Sequence, residues 1–191
     1  MINYHNFYTF AFNASLHNNR LLQQTIQTYL TMKNYKTEVK WAFIFIASLL
    51  LWMVIEKLVG LHDKHIDKHF YLTNLFAIVA IALYVFALLD KRKNFFGGVM
   101  NYKQGFLAGL VMTIIITILT PLSQWVISYV ITPDYFQNVI QYAVESGYHE
   151  STAAAEAQFN FKSYVIQGTI WTLGMGVVTS AIVAIFTRKS N

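Results

Sequence analysis

Residues 71–89 read YLTNLFAIVAIALYVFALL and run straight into Asp90, Lys91, Arg92 and Lys93. Nineteen residues without a charge, closed by a cluster of four, match what a helix needs to cross about 30 Å of hydrocarbon, roughly 20 apolar residues. Lipid offers no partner to backbone N–H and C=O groups, so a run of this kind is read as helix. Three more stretches are predominantly apolar over a spanning length: residues 41–59, charge-free as far as Ile55 with Glu56 and Lys57 at the interface, 106–131 and 164–186. The third of the four runs would be about 39 Å long as helix, more than the hydrocarbon requires, so it must tilt, kink or protrude. Pro121 offers the kink, with Thr120 and Ser123 placed to bond the carbonyls it frees.

Composition agrees with the bilayer as solvent. Of 191 residues 55% are hydrophobic, 16% aromatic and only 12% charged, against about 25% charged in soluble domains. Disorder is excluded by the hydrophobicity, and the absence of cysteine excludes disulfides and thiolate metal sites. The expected fold is an all-α integral membrane protein of four transmembrane helices, forming a single domain over residues 32–191. Residues 1–31 are Asn-rich and lack the apolar core of a secretory signal. Two readings of them stay open: a start placed too early, with Met32 as the true initiator, or a genuine tail.

Between the last two runs, Thr132, Pro133 and Asp134 predict the start of a short helix, with Thr132 as N-cap and Pro133 at the first helical position. Tyr135, Phe136, Val139, Ile140, Ala143 and Val144 share one face of it, and Gly147 marks its end. Such an amphipathic helix is expected to lie at the membrane surface or over the bundle mouth, on the external side. Ser151 or Thr152 then caps an Ala-rich turn leading into the fourth run.

The positive charges decide orientation. Lys33, Lys36, Lys40, Lys91, Arg92, Lys93, Lys103, Arg188 and Lys189 flank one side, whereas Lys57, Lys64, Lys68 and Lys162 flank the other. The positive-inside rule puts both termini in the cytoplasm. Lys91, Arg92 and Lys93 are then topology determinants, and the net charge of +5 does not argue for nucleic acid. The expected partners are the lipid bilayer and a homo-oligomer or an unidentified membrane protein. No cofactor is implied.

Small residues form two stripes. Gly168, Thr172, Gly176, Ser180 and Ala184 recur every fourth position, as do Gly105, Gly109, Thr113 and Thr117. Close helix approach in lipid depends on such residues. The preferred reading is a seam between the third and fourth spans within one chain, with a homodimer face as the alternative.

Two polar groups are candidates for function. Glu56, Asn74, Gln124 and Gln167 fall near one membrane face and are expected to form a cluster, with Lys57 or an amide as partner of Glu56. Snorkelling of Glu56 into headgroups is the bland alternative. His62, His65 and His69 have spacing that a helix would turn into metal ligands, yet Lys64 and Lys68 would repel a cation and the preferred reading is a solvated polar loop. No nucleophile elbow, phosphate loop, HExxH or dinucleotide fingerprint occurs, which disfavours an enzyme.

The segments Trp52 to Asp63, Tyr102 to Phe106 (YKQGF), Ile131 to Phe136 (ITPDYF) and Tyr164 to Gly168 resemble domain-of-unknown-function family 4199. These are small bacterial membrane proteins, and the resemblance covers roughly residues 32 to 189. It implies a bacterial inner-membrane location and carries no assigned activity. The function expected is that of a non-catalytic membrane protein acting through helix packing with itself or a partner. The alternative is a small transporter or channel-like component using the polar cluster.

Overall fold

A computed structural model of the chain describes residues 35–189. The segment 1–31 and the expected start at Met32 therefore lie outside the described residues. The chain divides after Lys36, and every contact below belongs to the second unit, Thr37–Asn191. Among the described residues the structure is helical apart from one isolated bridge, Met100 with Lys189.

Helix α1 spans Tyr35–Leu58. Helix α2 (Ile66–Leu72) passes through a single 3-10 turn, Thr73–Leu75, into α3 (Phe76–Asn94). Helix α4 (Tyr102–Val126) continues into a π-helical turn, Ile127–Ile131. The short helices α5 (Tyr135–Glu145) and α6 (Thr152–Gln158) lead to α7 (Phe161–Thr187). Four helical stretches, Tyr35–Leu58, Ile66–Asn94, Tyr102–Ile131 and Phe161–Thr187, are long and apolar enough to cross a membrane.

These stretches extend the runs read from the sequence because helices begin at their caps and not at their first apolar residue. Asn101 caps α4 through a reciprocal pair: its side chain accepts from the Gln104 amide and its own amide donates to the Gln104 side chain, both at 2.9 Å. Asn160 caps α7 by accepting from the Ser163 amide at 2.9 Å, so the fourth span has its own start and does not simply continue α6. Ser151 caps α6, as expected. Helix α5 ends at Glu145 and Gly147 follows with φ +75°, the left-handed geometry that stops a helix.

Two local expectations are corrected. Thr132 does not cap α5: its amide and hydroxyl both donate to the Ile127 carbonyl, at 2.8 and 3.0 Å, closing the π turn, and α5 starts after Asp134. The carbonyl freed by Pro121 is that of Thr117, one turn earlier, yet Thr120 donates to Ile116 and Ser123 to Leu119, each at 3.0 Å. These hydroxyls bond their own preceding turn.

The core is the seam between α4 and α7. A Cβ added to Gly105 would stand 3.4 Å from the Ala184 Cβ, one on Gly109 would stand 2.8 Å from the Ser180 Cβ, and one on Gly176 would overlap Thr113. Each step of four residues up α4 is matched by a step of four down α7, the register of an antiparallel pair. Thr113 is fully buried and bonded to Tyr84 of α3 at 2.8 Å and to Ser180 at 3.3 Å. The two small stripes thus meet within the chain.

At the end of the bundle where α3 finishes, buried Lys91 pairs with buried Glu38 of α1 at 2.8 Å, and Lys40 pairs with Asp90, which also accepts from Trp41 Nε1 at 2.6 Å. Arg92 donates to the Thr187 carbonyl at 2.8 Å. Two of the three charges read as topology determinants therefore also fasten α3 to its neighbours.

Candidate functional site

At the other end of the bundle, α1 finishes in the sequence Glu56-Lys57-Leu58-Val59-Gly60-Leu61-His62. Gly60 has φ +79°, which lets the chain double back: the Leu61 amide donates to the Glu56 carbonyl at 2.9 Å and the His65 amide to the Gly60 carbonyl at 2.8 Å. The reversal folds His62 over the carboxylate six residues before it. Helix α2 starts at Ile66, inside what reads as a loop, and its first turns carry His69 to the same place.

Glu56 is 1% exposed and His62 6%. Both imidazoles address one carboxylate oxygen: His62 Nε2 lies 3.1 Å and His69 Nε2 3.4 Å from Glu56 Oε2. The other oxygen, Oε1, accepts from Trp52 Nε1, one turn back on α1. The Tyr135 ring of α5 packs against both histidine rings, with centroids 5.3 and 5.2 Å away. Its hydroxyl lies 3.4 Å from His69 Nδ1 and 3.2 Å from the Tyr164 hydroxyl of α7. Asn138 of α5 donates to the His62 carbonyl at 2.9 Å and holds the reversal down. Burial, helped by the neighbouring Tyr164 and by the charge of Glu56, raises the Tyr135 pKa well above its ordinary value, so this phenol stays a donor.

Above this cluster lies a cavity of about 900 Å³. Its walls come from α2 and the turn before it, the end of α4 with the π turn, α5, the α5–α6 connection, the end of α6 and the start of α7; Phe70, Tyr142, Tyr148 and Phe159 make them aromatic, and His62, Asp67, His69 and Gln124 bring polar groups to them. π turns often mark functional positions in helices, and here Ile127 and Ser128 of the turn line the cavity.

The four expected cluster residues do not come together. Glu56 is at the centre of the site. Gln124 reaches only the cavity wall, where it donates to the Ser128 hydroxyl at 2.9 Å. Asn74 is exposed and donates to the Phe70 carbonyl at 2.5 Å. Gln167 is exposed beside Ile166. Among the described residues no hydrogen bond joins Glu56 to Asn74, Gln124 or Gln167; amides on a helix satisfy themselves locally, and similar depth does not imply a shared face. Lys57 is not the partner of Glu56 either, and donates instead to the Ile131 carbonyl at 2.5 Å. Of the histidines, His62 and His69 are brought together and His65 stays exposed at the N-terminal boundary of α2. The segment is therefore not simply a solvated loop. Sequence reasoning passed over Trp52, Tyr135, Asn138 and Tyr164. The four-residue step from Trp52 to Glu56 was the one local signal available.

Glu56, His62 and His69 present donor atoms that all lie within 4.8 Å of one another, a set able to hold a metal ion. A family model described as "Protein of unknown function (DUF4199)" matches residues 40–189. The chain belongs to this family. The match spans all four long apolar helices from near the start of α1, and with them supports a multi-pass membrane protein. No curated protein and no solved structure matches the chain.

Proposed function

We propose that this DUF4199 chain is a non-catalytic binding protein of a bacterial inner membrane, taking a small ligand into the cavity beside Glu56. The observation that carries this reading is the cavity itself: an aromatic-walled space of about 900 Å³ that reaches the Glu56 cluster through the rings of His62, His69 and Tyr135 in its lining. Ligand sites are typically apolar pockets with a few convergent polar groups. A molecule with an apolar body and one polar head fits both halves.

The bilayer setting is supported by the outward side chains of the long helices, with Leu58 79%, Ile118 72% and Phe186 79% exposed. The excess of Lys and Arg around the Lys91 end supports cytoplasmic termini, which puts α5 and the cavity on the far face. Action through helix packing with a second copy is less favoured, because the small-residue stripes are already occupied by each other. A transport role would need a polar path through the bundle. The buried polar group between α3, α4 and α7, Tyr84 with Thr113 and Ser180, is closed by its own hydrogen bonds.

Native mass spectrometry of the full chain, isolated in lipid nanodiscs, tests the reading. Ser146 lines the rim of the cavity and is exposed, so Ser146→Trp should fill the entrance. A small molecule carried by the wild type and absent from that variant supports ligand binding. Equal cargo on both, or none on either, overturns it.

A further inference from the structure

We infer that Glu56, His62 and His69 bind one divalent transition-metal cation of the zinc class, with the remaining coordination position open to the cavity. This inference deepens the binding role proposed above and names the chemistry at its polar end.

The donor set is the first reason. Two imidazoles and a carboxylate suit zinc and its first-row neighbours, not magnesium or calcium, which prefer oxygen alone. Spacing is the second. Bonds of about 2.0–2.1 Å in tetrahedral geometry hold neighbouring donors roughly 3.3 Å apart. The two histidine nitrogens already stand 3.1 and 3.4 Å from Glu56 Oε2, and no pair in the set exceeds 4.8 Å. Only the separation of the two imidazoles needs to close, by a side-chain adjustment.

The surroundings are the third. Trp52 occupies Glu56 Oε1, and Oε2 is the oxygen turned to both histidines. The Tyr135 hydroxyl faces His69 Nδ1; when it accepts from an Nδ1–H, the Nε2 lone pair is released towards the site. Tyr135 can then donate its own O–H to the Tyr164 oxygen. Metal-binding histidines are characteristically oriented by such an outer partner. Lys64 and Lys68, which would repel a cation, are both exposed, whereas the ligands are turned inward.

Charge is the fourth. A carboxylate at 1% exposure is costly unless it is neutralised. A divalent cation bound at Oε2 supplies a countercharge directly, in place of the histidine hydrogen bonds.

The test uses the full chain in nanodiscs, with any affinity tag removed and endogenous metal stripped by chelator. Cobalt(II) titration should give the visible d–d bands of a tetrahedral nitrogen and oxygen site, saturating at one equivalent, and zinc should displace it. His69→Ala and Glu56→Gln should weaken binding by about 100-fold or more, and Tyr135→Phe by about 10-fold, within the usual range for outer partners. His65→Ala should leave it unchanged. No cobalt spectrum in the wild type overturns the inference. So does binding that survives the His62→Ala, His69→Ala double variant, or binding lost with His65→Ala. If Glu56→Gln fails to fold, the wild-type spectrum and His69→Ala still decide. A wild type that carries a cargo excluded by Ser146→Trp, yet takes no metal, refutes the metal alone. Metal uptake with no cargo refutes the small-molecule reading and leaves the metal standing.

Discussion

Gly109 of α4 faces Ser180 of α7 so closely that a Cβ on the glycine would stand 2.8 Å from that of the serine and 2.7 Å from its hydroxyl oxygen. Backbones that approach this far are held by packing together with the Thr113–Ser180 hydrogen bond, since lipid is as apolar as the side chains it would replace. The fourfold register of small residues on both helices is what permits the approach, and it makes the seam the part of the bundle most sensitive to added volume.

Gly176→Leu should therefore lower thermal stability in detergent by about 1–3 kcal/mol or more, the range for overpacked cores, because the new side chain meets Thr113 and the Tyr84 hydroxyl. Gly174→Ala, on the same helix with nothing within 4 Å of its added Cβ, is the control. Equal melting temperatures for the two variants would show that the seam does not govern stability.

The buried pair Glu38 and Lys91 should be costly to break and cheap to remove. Glu38→Gln alone removes the carboxylate charge beside buried Lys91, which keeps its place over the Phe95 ring at 4.0 Å, and losses of up to about 3–5 kcal/mol are usual when one partner of a buried pair is removed. Glu38→Leu with Lys91→Met should recover most of that loss. Chemical denaturation of the singles and the double measures the coupling; a double variant as unstable as the sum of its parts would contradict it.

Glu56→Ala and His69→Ala should be strongly non-additive in stability, as residues sharing one hydrogen-bond network are. Glu56→Ala and Gln167→Ala should add within about 0.5 kcal/mol, because Gln167 is exposed and not bonded to Glu56. The two double-mutant cycles together locate the site; coupling to Gln167 would restore the amide cluster expected from helix depth.

Tyr135 should remain protonated above pH 10, where exposed tyrosines ionise. Its pKa is raised in the folded chain, so the protonated phenol is favoured there: the stability it contributes is complete below the unfolded value near 10 and falls away as pH rises past it. Ultraviolet difference titration of Tyr135→Phe should show no fewer tyrosines ionising near that pH than the wild type. Loss of one such transition would place the phenol in solvent.

Because the chain has no native cysteine, His65→Cys provides a single reporter on the exposed boundary of α2. An impermeant maleimide should label it from the non-cytoplasmic side of intact cells. Labelling confined to inverted vesicles would reverse the proposed orientation.

The four long helices were legible in the sequence because their cause is local. A run such as residues 71–89 has no other way to satisfy its backbone away from water, and Ser151 and Gly147 act on the turns next to them. The small-residue stripes were visible for the same reason, since a four-residue period is a property of one helix. That the two stripes meet in one seam is the preferred reading of the sequence; their register, Gly109 against Ser180 and Thr113 against Gly176, is not legible there, because it depends on the relative rotation and height of two helices. The site lies further from the sequence still. Glu56 and His69 are thirteen positions apart, and Tyr135 comes from another element altogether. The positive φ of Gly60, the unexpected start of α2 at Ile66 and the docking of α5 through Asn138 together decide that His62 and His69 turn inward while His65 does not. Amides and imidazoles can satisfy themselves locally or across the bundle at similar cost, so their sequence positions do not choose between the two, and the choice falls to tertiary packing.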